Sequence, residues 1–80
     1  MPMPGILEID LHGKNAYQAR ITLDSTLKKA DASVYRIRVI NGFHQGEVLK
    51  EVTAEYARHP RVKEIKAIHS GCTDLILREK

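Results

Sequence analysis

The sequence predicts an α/β fold: a two-layer sandwich in which two helices cover one face of a mixed four-stranded sheet. Apolar residues alternate in four short segments and recur at three- and four-residue steps in two longer ones, in the order β-α-β-α-β-β. Two successive strand–helix–strand units favour parallel pairing, and the last two strands are close enough for an antiparallel hairpin. Because the strands alternate, we expect one sheet face under the helices and one left open.

The composition is typical of one small globular domain, with 80 residues of which 42% are hydrophobic and 29% charged. We expect residues 1–5 to be a flexible lead-in and residues 6–80 to form the domain. No apolar run is long enough for a membrane span, and no secretory signal is visible. The single cysteine, Cys72, leaves no internal disulfide and favours a reducing cytoplasm.

The first half of the chain predicts a strand, a helix and a second strand. Residues 6–11 and 34–40 alternate, and the second segment places Arg36 and Arg38 on the face opposite to its apolar residues. Asn15 and Gln18 have the spacing of a helix capping box. The apolar stripe that follows consists of Ala16, Ala19, Leu23, Leu27 and Ala30.

The second half predicts a loop, a helix and two strands. A glycine-bounded loop covers residues 41–46, and a helix starts at Glu47 and ends before Pro60. Strands are expected at 62–69 and 73–78, joined by a turn at Ser70 and Gly71. The residues expected on the buried side of the helix are Val48, Leu49, Val52 and Tyr56.

A carboxylate and an imidazole lie at the end of the first strand. Asp10 and His12 are two residues apart and share a face, and Gly13 lets the chain turn directly after them. Such a pair can act on a phosphodiester, bind a metal ion or cap a turn. We take general acid/base chemistry by His12 as the functional hypothesis, and a hydrogen bond to a loop carbonyl as the structural alternative.

The loop at residues 41–46 leads into a helix, whose free N–H groups favour an anion. Gly42 and Gly46 would let a phosphate approach the backbone, and His44 would contact it; an ordinary strand-to-helix turn is the alternative. The carboxyl ends of parallel strands form a natural ligand crevice. We therefore expect this loop to meet residues 10–13 and 69–72 at one edge of the sheet.

Basic residues on the open face form a third candidate feature. Arg36 and Arg38, joined by Lys66, would track a nucleic-acid backbone. The alternative is a solvated face with cross-strand ion pairs to Glu8 or Glu64. The net charge of +3 does not decide between these two interpretations, because many domains with this charge bind no nucleic acid.

Metal binding and other familiar chemistries have little support in the sequence. No spacing of the histidines and Cys72 matches a zinc motif, so we expect no tight metal site, and Mg²⁺ at Asp10 is the one ion left open. Cys72 is interpreted as a small residue at the start of a strand. The chain has no Walker loop, nucleophile elbow or dinucleotide fingerprint.

The motif at residues 9–13 (IDLHG) resembles the L-D-x-H-G signature of the Smr (small MutS-related) domain family. The likeness runs from about Leu7 to Leu77. Family members continue with a glycine loop usually written H-G-x-G, matched here within residues 40–46 (INGFHQG). The remaining matches, in family order, are Leu49 and Lys50 at the helix start, residues 59–62 (HPRV) and residues 70–73 (SGCT).

This resemblance implies a two-layer α/β sandwich, like the carboxy-terminal domain of a bacterial translation initiation factor, that binds DNA or RNA. Several members are nicking endonucleases, so Asp10 and His12 would activate water or hold a divalent ion, and residues 42–46 would cradle the scissile phosphate. With the basic residues of the open face included, the predicted residues for binding phosphate or nucleic acid are Gly13, Arg36, Arg38, Asn41, Gly42, His44, Gly46 and Lys66.

Two departures from the family pattern bear on cleavage. Asn41 replaces the usual histidine of the glycine loop, and His44 replaces its second glycine. If the missing imidazole assists cleavage, the chain binds without cutting. The alternative function is therefore a non-catalytic interaction domain, a ribosome- or protein-associated adaptor, whose binding would lack the steep salt dependence of phosphate contacts.

Overall fold

The computed structural model of this chain describes residues 5–41, 46–69 and 71–78. The predicted order of elements is confirmed in these ranges. The strands are β1 (Ile6–Asp10), β2 (Arg36–Ile40), β3 (Glu64–His69) and β4 (Cys72–Ile76), and the helices are α1 (Ala16–Lys29) and α2 (Gly46–Glu55), followed by a 3₁₀ turn at Tyr56–Arg58. Most of the expected lead-in, the loop residues Gly42 and His44, and Ser70 lie outside the described residues.

The four strands form one mixed sheet in the order β1-β2-β4-β3. β1 and β2 are parallel, whereas β4 is antiparallel to both β2 and β3. The expected parallel pairing of the second strand–helix–strand unit is therefore wrong, although β3 does run in the direction of β2. The hairpin places β4 between them, and all five residues of β4 are buried, as suits a central strand.

The core lies between the helices and one sheet face, as predicted. The pairing register puts Leu7 opposite Ile37, Ile37 opposite Leu75, and Leu75 opposite Ile65, so these side chains share a face. Buried residues of both helices join them in a single apolar cluster, which includes Ala19, Leu23, Leu27, Leu49 and Val52. The opposite face, with Arg36 and Arg38, is not covered by these helices.

α1 begins as its sequence predicts. The Asn15 side chain accepts a hydrogen bond from the Gln18 amide at 2.8 Å, and the Gln18 side chain accepts one from the Asn15 amide at 3.1 Å. This reciprocal pair satisfies two amides that the helix itself leaves without partners. It also fixes where the chain leaves the turn after β1.

α2 buries a face slightly different from the one expected. Leu49, Val52 and Tyr56 are buried, but Val48 is 50% exposed and Thr53 is fully buried. Leu49 and Thr53 are four residues apart and lie on one side, whereas Val48 is rotated about 100° away from Leu49. Thr53 is accommodated because its hydroxyl donates a hydrogen bond to the Leu49 carbonyl at 2.8 Å.

Gly5 is fixed to the sheet and does not belong to a loose lead-in. Its carbonyl accepts hydrogen bonds from the amides of Tyr35, at 2.9 Å, and Arg36, at 3.3 Å. Its φ angle is +82°, and a Cβ atom at this position would lie 2.4 Å from Cε1 of Tyr35. Both the backbone angle and the ring therefore require glycine here. Among the described residues, no helix is long and apolar enough to cross a membrane.

Candidate functional site

The strand ends that were expected to converge do meet at one edge of the sheet. Asp10 pairs with Ile40, and the Leu11 amide donates to the Ile40 carbonyl at 2.8 Å. The Asn41 amide donates to the carbonyl of Gly71, in the β3–β4 turn, at 2.8 Å. We call this end of the sheet, where β1, β2 and β3 finish, the carboxyl edge.

Asp10 and His12 are in contact at the carboxyl edge. Oδ1 of Asp10 accepts a hydrogen bond from the His12 amide at 2.9 Å and lies 2.8 Å from Nδ1 of its ring. Both side chains reach solvent, with His12 71% exposed and Asp10 55% exposed. The predicted pair thus exists as a dyad, and the imidazole is accessible to a ligand.

A tight turn holds the dyad. The Lys14 amide donates to the Leu11 carbonyl at 3.0 Å, which closes a four-residue turn with His12 and Gly13 at its centre. Gly13 has a φ angle of +82°, as a type II turn requires at its third residue. A Cβ atom on Gly13 would meet nothing within 4 Å, so this glycine serves the backbone angle and leaves open space beside it.

The environment of Asp10 keeps its carboxyl group ionised. The hydrogen bond from the His12 amide, and then the contact with the His12 ring, lower the pKa of Asp10 below its ordinary value of 3.8. An ionised carboxylate only accepts hydrogen bonds, so Nδ1 of His12 must be the donor. In the neutral ring Nε2 then carries the free lone pair.

Asn41 lies beside the dyad but inside the protein. Its side chain is 1% exposed, and its amide nitrogen donates to the Thr73 hydroxyl at 3.3 Å. Its side-chain oxygen is buried without a hydrogen-bond partner. In this position Asn41 links the end of β2 to β4.

Arg36 and Arg38 lie on the face away from the helices and share one carboxylate, that of Asp74, which is not among the predicted site residues. Arg38 binds Asp74 through Nε and Nη2, both at 3.1 Å, and Arg36 binds it through Nη1 at 3.0 Å. Asp74 is fully buried, while the two arginines remain about one quarter exposed. The hydrogen bond and charge of Asp74 raise the pKa of Arg38.

This arrangement matches the alternative interpretation of the open face, in which the arginines form cross-strand ion pairs, except that their partner is Asp74. The alternative expects cross-strand ion pairs to Glu8 or Glu64, but the carboxylate that binds both arginines is Asp74, on β4. The register shows why: Arg38 pairs with Asp74 across the β2–β4 ladder, and Arg36 is its diagonal neighbour. Because the sequence pattern does not predict β4 beside β2, it does not predict that these residues pair.

The other predicted residues are placed only in part. Lys66 is exposed and lies opposite Asp74 in the β3–β4 strand register, but its ammonium group forms no ion pair within 4 Å with a carboxylate in the described part of the chain. Gly46 is the first residue of α2, so the helix begins one residue before the predicted start at Glu47. Gly42 and His44 lie outside the described residues.

Metal donors are sparse in the described ranges. Residues 5–41, 46–69 and 71–78 contain no group of three His, Cys, Asp or Glu side chains arranged to hold a metal ion. A Mg²⁺ ion commonly takes one or two protein carboxylates and completes its shell with water. Oδ1 of Asp10 is occupied by His12, so among the described residues at this edge the other carboxylate oxygen, Oδ2, would suit such an ion. Cys72 is buried, and burial raises the pKa of its thiol.

A groove lies away from the carboxyl edge, between α1 and the end of α2. It has a volume of about 350 Å³ and is lined by Asp24, Glu55, Tyr56, Arg58 and His59. The Tyr56 hydroxyl donates to Oδ1 of Asp24 at 2.7 Å, and burial together with this bond raises the pKa of Tyr56. These contacts tie the two helices together.

Comparison with known proteins agrees with this fold and with the motif at its edge. The family model of the Smr domain matches residues 9–74. The chain belongs to the Smr domain family. The matched range contains every residue of the predicted site, from Asp10 to Lys66, and the predicted family membership is confirmed.

A solved structure supports the same assignment. The chain is similar to the Smr domain of Thermus thermophilus MutS2, with a TM-score of 0.77 and 25% sequence identity. The similarity covers 91% of this chain and 99% of the other. A search of curated proteins gives no match. The predicted two-layer α/β architecture is therefore also confirmed.

Proposed function

We propose that this Smr domain binds nucleic acid at the carboxyl edge and that Asp10 and His12 cleave a phosphodiester bond there. The observation that supports this most directly is the exposed Asp10–His12 dyad beside the end of β2. A helix amino terminus favours an anion, so the phosphate would lie between that terminus and the imidazole.

The dyad assigns a part to each side chain. Asp10 accepts the Nδ1 proton and holds the ring in the tautomer whose Nε2 is free. Nε2 takes a proton from a water molecule as the water oxygen forms a bond to phosphorus. The bond from phosphorus to the leaving oxygen breaks, and that oxygen gains a proton from the imidazolium or from solvent.

The remaining predicted contacts would position the backbone. Arg36 and Arg38 use three nitrogen atoms on Asp74, which leaves other guanidinium donors for a phosphate. The three residues together carry a charge of +1, so they attract phosphate less than two isolated arginines would. Gly13 and Gly46 would contribute backbone amides, and Lys66 a third cation on the same face.

The alternative function, a non-catalytic interaction domain, is favoured by the placement of Asn41. This residue stands where family members usually carry a histidine, and it is 1% exposed and bonded to Thr73. An amide in this position offers no acid or base. If cleavage needs two imidazoles, this chain would bind without cutting.

Cleavage is tested with pure protein on supercoiled plasmid and on structured RNA, with and without Mg²⁺. Wild type and His59→Ala, the matched control that removes an imidazole elsewhere, are expected to nick, and His12→Ala is expected not to. Equal backgrounds in all three proteins would reject catalysis by the dyad. Binding to the same substrates that weakens steeply with salt would then support the binding part alone.

A further inference from the structure

The end of the domain opposite the carboxyl edge is strongly basic. Here β1, β2 and β3 begin and β4 finishes, and we call it the amino edge. The Leu77 amide donates to the Tyr35 carbonyl at 2.8 Å, so the chain after β4 runs beside the start of β2. Four exposed cations stand at this end and form what we call the basic cluster: Lys28, Lys29, Arg61 and Arg78.

Two members of the basic cluster are held by neutral partners. Arg61 donates through Nη1 to the Leu27 carbonyl, and Arg78 donates through Nη2 to the Ala32 carbonyl. These carbonyls belong to the end of α1 and the loop after it, next to Lys28. The bonds bring the guanidinium groups to the two lysines and orient them without cancelling their charge.

Acidic residues at this end offset only part of the charge. Asp31 lies in the same loop, where the hydrogen bonds that its Oδ1 accepts from the hydroxyl and amide of Ser33 lower its pKa and keep it ionised, and Glu64 begins β3 at this edge, so the four cations stand against two carboxylates. Within the described ranges, no carboxylate lies within 4 Å of a basic-cluster nitrogen. By contrast, Arg20 is bound to Glu55, at 3.0 Å.

The carboxyl edge lacks such an excess in its described part. Asp10 and Lys14 carry opposite charges there and offset each other. Phosphate-driven affinity depends on the number of cations that replace condensed counterions. The described residues that can supply this affinity are concentrated at the other end of the sheet from the dyad.

We propose that the basic cluster is a second contact surface for the phosphate backbone, separate from the dyad. This inference rests on the proposed nucleic-acid binding and assigns most of its electrostatic affinity to the amino edge. A strand of five residues, such as β1, spans about 16 Å, so a nucleic acid in contact with both edges extends over about five nucleotides.

The test measures the affinity of wild type and of the double variant Lys28→Gln/Lys29→Gln for a duplex DNA of about 20 base pairs across a salt series. Loss of two phosphate contacts should make the slope of log affinity against log salt about 1.8 less steep. If the two proteins bind equally at 1 M salt, the variant binds about 60-fold more weakly at 0.1 M. The control, Lys50→Gln, removes a charge from the middle of α2, and its slope should match that of wild type.

The outcomes separate the two proposals. Wild-type binding with the same slope in the double variant and in Lys50→Gln would overturn the basic cluster and leave nucleic-acid binding intact. No salt-dependent binding by wild type would overturn both. Sedimentation of wild type with phosphatidylserine vesicles, lost in the double variant while the DNA slope is unchanged, would assign the cluster to a lipid surface and overturn the inference. Lys28 and Lys29 also suit the negative end of α1, but that interaction affects unfolding and leaves the salt slope unchanged.

Discussion

Replacing Asp74 with asparagine is expected to destabilise this domain more than any other change of a single charge on the open sheet face. The carboxylate is fully buried and accepts three hydrogen bonds from Arg36 and Arg38. Asparagine has nearly the same shape, but it offers one acceptor oxygen and turns an amide donor toward a guanidinium. The two arginines would then lose the buried carboxylate that binds both of them, and Glu8, which pairs with Arg38 across the β1–β2 ladder, would be the nearest register partner with a negative charge.

The expected loss follows from the burial of the three groups. Breaking a buried ion pair by removing one partner costs about 3–5 kcal/mol. Arg36 and Arg38 are about one quarter exposed, so water recovers part of this loss, and the asparagine oxygen keeps one bond. We therefore expect about 2–3 kcal/mol, against a total stability of about 4–12 kcal/mol for a domain of 80 residues. The variant should still fold at 25 °C.

Urea denaturation measures this change directly. With a slope of about 1 kcal/mol per molar urea, the midpoint should fall by about 2–3 M, and the melting temperature by about 10–20 °C. Glu64→Gln is the matched control, because it neutralises an exposed carboxylate on the same face and should cost less than about 0.5 kcal/mol. If Asp74→Asn were as mild as this control, the account of a buried carboxylate neutralising two arginines would be wrong.

Two further predictions concern the backbone and the helix pair. Gly5→Ala should lower the stability measured by thermal unfolding clearly more than Gly13→Ala. Both glycines have φ +82°, and an alanine at that angle costs about 1–2 kcal/mol, but only the alanine at position 5 places a Cβ atom against the Tyr35 ring. Equal losses of stability would contradict this account of Gly5. Tyr56→Phe should lose about 1–2 kcal/mol relative to wild type, whereas Tyr17→Phe, at a 71% exposed position, should lose almost nothing. Folding raises the pKa of Tyr56, so the stability that its hydroxyl contributes is complete below the ordinary pKa of 10.0 and declines as the pH rises toward the pKa in the folded protein. If the difference in unfolding free energy between wild type and Tyr56→Phe stayed constant above pH 10, the assignment would be refuted.

Local features could be predicted from the sequence because neighbouring residues decide them. The capping box of Asn15 and Gln18, the turn at Gly13 and the two faces of β2 follow from spacing and alternation alone, and the structure has all of them. The Asp10–His12 contact belongs to the same class, since residues two apart at the end of a strand share a face.

Features set by strand order could not be predicted in this way. An antiparallel hairpin can dock β3 or β4 beside β2, and both strands offer similar alternation. The choice of β4 makes Asp74 the partner of Arg36 and Arg38, which changes a predicted basic stripe into a partly neutralised cluster. The grouping of cations at the amino edge could not be predicted either, because Arg61 and Arg78 reach the end of α1 and the loop after it through contacts between residues 34 and 46 positions apart in the sequence.

The distribution of charge links these findings to function. The total of +3 suggests a mildly basic surface, but the described charges are unevenly placed. On the open face, Asp74 offsets one of two arginines, and at the carboxyl edge Asp10 offsets Lys14 while it orients His12. Among the described residues, the amino edge holds four neighbouring cations without a carboxylate within 4 Å. A domain built in this way would separate affinity from chemistry, because the charges that attract a phosphate backbone stand apart from the imidazole that would act on it. Under this arrangement, His12→Ala should abolish nicking and leave the salt slope of binding unchanged. Lys28→Gln/Lys29→Gln should make the salt slope less steep and, at saturating protein, leave nicking unchanged.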